Sequence, residues 1–115
     1  MNLIEAKTWA DEMDVRVTVC DLDAVIVYMN EASVEGFQKY GGAELLGKSL
    51  FDCHLPVSQE KIMEMLEHPR VNTYLIKKNQ ERRLIRQFPW IEKGEHRGVI
   101  EISFELPDDF EEKKR

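Results

Sequence analysis

The order of elements predicts an α+β fold, one five-stranded antiparallel sheet with helices packed on one face, preceded by an N-terminal amphipathic helix. Three observations carry this. Two short apolar strands meet across an acidic turn near the N-terminus, several helical segments follow between residues 30 and 68, and three strands close the chain. A hairpin loop at residues 78–80 and a turn at residues 92–95 join those last strands as antiparallel neighbours.

In chain order, residues 3–13 place Leu3, Ile4, Ala6, Trp9, Ala10 and Met13 on one helical stripe, with Glu5, Lys7, Asp11 and Glu12 opposite. A helix this short needs a surface to pack on, so Trp9 is either a core anchor or an interface anchor. Residues 15–20 alternate Val15, Val17 and Val19 against Arg16, Thr18 and Cys20, the pattern of a half-buried strand. Asp21 and Asp23 flank a turn in which carboxylates accept backbone N–H bonds. Residues 25–29 are apolar almost throughout, and Asn30 then caps a helix holding Ala32, Val34, Phe37 and Tyr40. Gly41 and Gly42 stop that helix, and residues 43–46 form one further helical turn.

Pro56 suits the first turn of the next helix, whose apolar face is Val57, Ile62, Met63, Met65 and Leu66 until His68-Pro69 breaks it. Residues 72–77 and 83–91 read as strands. Phe88 and Trp90 share one face of the second, and Pro89 predicts an edge or a bulge there. Residues 98–106 form the last strand, Ile100, Ile102, Phe104 and Leu106 facing one way and Val99, Glu101, Ser103 and Glu105 the other. That alternation marks one face as core and the other as wet or docked.

Length and composition bound the reading. A chain of 115 residues suits one domain with a real core, and no apolar run approaches the roughly 18 residues of a membrane span. The N-terminus lacks the basic and apolar regions of a signal peptide, so a cytoplasmic location with no membrane partner is expected. A net charge of −6 argues against a nucleic-acid partner. Arg82, Arg83 and Arg86 read as a solvated sheet face. Cys20 and Cys53 make neither a disulfide framework nor a zinc site.

Three stretches together resemble the front half of a PAS domain: Asp21-Leu22-Asp23 at the first hairpin, residues 28–32 (YMNEA) where the second strand ends, and residues 44–50 (ELLGKSL). The resemblance covers most of the chain, since the later half supplies the long helix and three strands that the fold still needs. It implies the strand order 2-1-5-4-3, a flanking helix over residues 1–14, the PAS domain over 15–107 and a charged, disordered tail over 108–115.

What the resemblance implies about function is a sensor or interaction module without catalytic activity, because the family shares a fold more than an activity. Such a module binds a small ligand or a partner and signals through self-association or protein contacts. A homodimer anchored by Trp9 and a separate output protein are the expected partners. The expected pocket comprises Val17, Val19, Tyr28, Phe37, Tyr40, Ile62, Leu66, Phe88, Ile100 and Ile102. His54 lies near the place where haem-binding members carry an axial histidine, so haem is the alternative cofactor and its iron the one metal to consider. Residues 51–56 (FDCHLP) depart at nearly every position from the Asn-Cys-Arg-Phe-Leu-Gln run of the flavin-binding branch, which disfavours flavin at Cys53. No pair of groups carries the signature of a tuned acid and base, so no enzyme activity is expected.

Overall fold

The structure is a computed structural model that describes residues 8–52 and 56–115. Its elements in order are β1 (Arg16–Asp21), β2 (Ile26–Met29), α1 (Glu31–Gly36), α2 (Pro56–Glu67), β3 (Asn72–Lys78), β4 (Glu81–Glu92) and β5 (Glu95–Leu106). Three 3₁₀ turns, Gln38–Tyr40, Gly42–Leu45 and Leu50–Asp52, lie between the helices. The strands form one sheet in the order β2-β1-β5-β4-β3, every pair antiparallel, as expected.

Local chemistry explains the early turns. Asp21 Oδ1 accepts from the backbone N–H of Asp23 at 2.9 Å and of Val25 at 3.0 Å, and this fixes the β1–β2 hairpin. Asn30 caps α1 by accepting from Ser33 N–H at 2.9 Å. The α-helix is shorter than expected and ends at Gly36, after which Gln38–Tyr40 tightens into a 3₁₀ turn that Gly41, with φ +119°, terminates. The outer edge of β2 is covered by residues 47–49: Ile26 N–H donates to Lys48 O at 3.0 Å and Gly47 N–H to Ile26 O at 2.8 Å.

Pro89 sits where the sequence pattern allows it. β3 reaches only as far as the Asn72–Gln87 pair, so β4 is an edge strand at Pro89, and the register shifts between Trp90 and Ile91 immediately beyond. The expected N-terminal helix lies partly outside the described residues. Residues 8–13 make turns instead, with Asp11 N–H to Thr8 O at 3.1 Å and Met13 N–H to Ala10 O at 3.3 Å.

These turns are tied down on the sheet. Tyr28 Oη donates to Asp11 Oδ1 at 2.6 Å, Glu31 N–H donates to Asp11 O at 2.9 Å, and Asn30 Nδ2 donates to Ala10 O at 2.9 Å. The sheet therefore has apolar clusters on both sides. Ile26, Met29 and Leu45 pack with Val34, Phe37, Leu46 and Leu50 on the helix side. Val17, Val19 and Tyr28 pack with Ala10, Val15, Trp90, Ile100 and Ile102 on the other.

Candidate functional site

The register decides which residues can meet a ligand. Residues directly opposite in an antiparallel sheet share a face, and successive residues alternate. Met29, Thr18, Glu101, Gln87 and Asn72 stand opposite one another in a single rung that crosses all five strands. This rung faces the helices. Between it and the helical layer lies a cavity of about 590 Å³, within the roughly 300–1,000 Å³ usual for small-ligand pockets.

The sheet side of the cavity carries a hydrogen-bonded polar strip alongside Cys20 and Val99. Asn72 Nδ2 donates to Gln87 Oε1 at 2.9 Å, and Gln87 Nε2 donates to Glu101 Oε2 at 2.8 Å. The amide of Gln87 thus uses one end on each neighbour, which orients it without ambiguity. On the other side of Glu101, Thr18 shares a 2.6 Å hydroxyl–hydroxyl bond with Ser33 of α1, which is fully buried. Glu101 forms no ion pair among the described residues. Its Oε1 has no hydrogen-bond partner among them.

The helical side is apolar. Phe37, Leu45, Leu50, Ile62 and Met65 line it, together with Ile26 and Met29 from β2. Tyr40 and Tyr74, 63% and 40% exposed, line its solvent side with the exposed Lys61. Burial, and then the Glu101 carboxylate, hold the Tyr74 phenol above its ordinary range. Cys20 also faces the cavity, and its thiol is pushed up to about 11, chiefly by burial. It is inert as a nucleophile at neutral pH.

Of the expected pocket residues, the structure places Phe37, Tyr40 and Ile62 in the cavity lining. Val17, Val19, Tyr28, Ile100 and Ile102 are instead on the opposite face, in the apolar cluster that residues 8–15 partly cover. Phe88 is paired with Ile100 and belongs to that face too, while Leu66 of α2 is half-buried outside the lining. The physical reason is that the more apolar alternation set points away from the helices. Trp9, 83% exposed, stands on the segment that covers this second face. Met63, expected on the apolar face of α2, is 49% exposed.

His54 and Cys53 lie outside the described residues. Of the other histidines, His96 bonds to Gly98 O at 2.9 Å and His68 is exposed beyond α2, and neither lines the cavity. Among the described residues, no group of three His, Cys, Asp or Glu side chains could hold a metal ion, and no helix is long and apolar enough to cross a membrane.

The sequence reading did not single out Thr18, Asn72, Gln87 or Glu101. A usable signal was present in β1, β4 and β5, where the less apolar alternation set mixes Cys20, Ile85 and Val99 with its polar members. A wholly solvated face has little use for them.

The PAS fold family matches residues 10–69, just over half of the chain. Among solved structures, the chain is similar to the Vibrio cholerae VqmA dimer, a LuxR-type receptor. It has a TM-score of 0.64 and 18% identity over 85% of this chain and 48% of that one, so it spans about half of VqmA. It is similar to the Vibrio cholerae Aer2 receptor, a dual PAS-haem oxygen sensor, with a TM-score of 0.61 and 20% identity over 81% of this chain and 95% of that one. A PAS domain of an HTR-like protein from Haloarcula marismortui gives a TM-score of 0.59 and 19% identity, covering 84% of this chain and 85% of that one. No curated protein matches the chain by sequence.

Proposed function

The chain belongs to the PAS fold family, and from that premise we propose that it is a non-catalytic sensor module which binds a small molecule between its sheet and its helices and signals through self-association or contact with an output protein. The observation that carries this reading is the cavity of about 590 Å³ with one polar and one apolar wall. Convergent polar groups within an apolar enclosure are what small-molecule sites are made of. The working unit spans residues 15–107, with residues 8–14 as its cover.

Self-association is assigned to the apolar face of the sheet and its cover. Trp90, Ile100 and Ile102 are only half-buried there, and Trp9 projects nearby in the covering segment. A second copy of the chain is the occupant proposed, by analogy with the dimeric VqmA. Methyl-resolved NMR with a library of small fragments tests the pocket. Binding should move the resonances of Leu45, Ile62 and Met65, and Met65→Trp should abolish the effect by filling the space. Fragments that touch only exposed residues would sink the reading. A strict monomer in sedimentation at millimolar concentration would remove self-association from it.

A second reading, haem held by His54, is favoured by the likeness to the Aer2 haem sensor. The donor set of the cavity suits it less well, because a carboxylate and two amides form the sheet wall and none of the described lining residues is a histidine. A Soret band on haem titration that weakens in His54→Ala would establish it. A spectrum that remains that of free haem would exclude it.

A further inference from the structure

We propose that the ligand of this cavity is a small organic ammonium ion, its cationic nitrogen seated on Glu101 and its apolar body against the helical wall. The inference rests on the pocket reading above and adds the charge and shape of what the pocket takes.

The argument begins with Glu101. Its carboxylate is half-buried on the cavity floor and, among the described residues, forms no ion pair and accepts a single hydrogen bond, from Gln87 to Oε2. Taking a carboxylate partly out of water is costly unless a cation or several donors replace the lost hydration. Gln87 cannot supply more, since its oxygen is held by Asn72. The next side chain in the rung, Thr18, is engaged with Ser33. The rung thus orients the carboxylate and leaves Oε1 without a hydrogen-bond partner among the described residues. Arg16, which feels the Glu101 charge, lies over the Phe37 ring and forms no ion pair with that carboxylate.

A ligand nitrogen carrying two or three N–H donors is the complementary group. Charge-assisted N–H···O bonds are roughly twice as strong as neutral ones. Phe37, Tyr40 and Tyr74 share the same lining, and aromatic faces attract cations. Lys61 lines the exposed side, so like-charge repulsion directs the cationic end inward, to the sheet. Beyond the carboxylate, Ile26, Met29, Leu45, Ile62 and Met65 offer only apolar surface, which requires an aliphatic or aromatic body.

The test uses three probes with one body and different heads, phenethylamine, 2-phenylethanol and phenylacetate, titrated by calorimetry into the full chain and into Glu101→Gln. The amine is expected to bind at least tenfold more tightly than the alcohol, and the acid least. Glu101→Gln should lose that tenfold advantage while leaving alcohol binding within twofold. Equal or tighter binding of the alcohol or acid to the wild-type chain would overturn the proposal, as would an unchanged amine affinity in Glu101→Gln. If either of those overturning results comes with movement of the Ile62 and Met65 resonances, the pocket reading survives and only the ammonium assignment falls. If none of the three binds and no fragment enters, both fall together.

Discussion

Val17 and Asn30 hold each other by two hydrogen bonds: the backbone N–H of Val17 donates to Asn30 Oδ1 at 2.9 Å, and the backbone N–H of Asn30 donates to Val17 O at 3.1 Å. The same Oδ1 caps α1 through Ser33, while Nδ2 donates to Ala10 O and to Val15 O at 2.7 Å. One buried amide, 1% exposed, therefore joins β1, the start of α1 and the covering segment. Asn30→Ala should cost roughly 3 kcal/mol, the sum of a lost cap and of buried groups left without partners. Urea unfolding measures it, and a loss below about 1 kcal/mol would show that these elements are held by other contacts.

Gly98 has a different kind of constraint. A Cβ at this position would stand 1.9 Å from the carbonyl oxygen of Cys20 on the adjacent strand, an overlap that no side-chain rotation relieves. Gly98→Ala should destabilise the domain by about 3 kcal/mol or more, because β1 and β5 must part. A thermal midpoint unchanged from wild type would contradict the close approach.

The β3–β4 hairpin carries a correctable strain. Asn79 and Gln80 both have positive φ, 53° and 69°, whereas the equivalent β4–β5 turn places Lys93 and Gly94 at 52° and 79°. Gln80→Gly gives the Asn-Gly pair that such turns favour. It is expected to stabilise by about 1 kcal/mol and to raise the melting temperature by roughly 4–8 °C. A fall in melting temperature would mean that the turn does not have this conformation.

Tyr28 predicts an alkaline transition. Burial, and then its bond to Asp11, push the phenol up to about 12 from an ordinary value of 10.0. The unfolded chain loses this proton at lower pH than the folded one, so the contribution is intact below pH 10 and is lost as pH rises toward 12. Tyr28→Phe should be less stable than wild type at pH 8, with the difference shrinking across pH 10–12. The raised Cys20 thiol gives both proteins a common decline that starts from about pH 9. A constant difference from pH 8 to 12 would rule out the Tyr28 assignment.

Trp9 separates folding from association. At 83% exposure it contributes little to the monomer, and Trp9→Ala should change unfolding free energy by no more than about 0.5 kcal/mol. If it anchors a second copy, the same change should weaken dimerisation by tenfold or more in sedimentation equilibrium, a hot-spot effect. Unaltered association would move the interface elsewhere.

Local signals carried most of the fold. The Asx turn at Asp21, the cap at Asn30, the proline at Pro56 and the alternation in β5 each act over a few residues, so they can be read without knowing what is distant. The site was legible only in part because it depends on register. Phe37, Tyr40 and Ile62 come from segments whose apolar residues have one direction to face. On the strands, alternation alone points to the apolar set as the lining, and only the pairing of Thr18 with Glu101, Glu101 with Gln87 and Gln87 with Asn72 brings separate polar residues into one rung. Residues 8–13 turn where a helix was expected because Ala10 and Asp11 are positioned by Asn30, Glu31 and Tyr28, contacts some twenty residues away that propensity does not register.

Glu101 lies between Ile100 and Ile102 in β5, so the chamber wall and the apolar back surface are the two sides of one strand. In mechanical terms the sheet is a diaphragm, one backbone thick. Any tilt of β5 that brings its carboxylate closer to an occupant displaces both isoleucines at once. If an occupant is bound as proposed, its arrival inside has no distance to travel before it reaches the back surface.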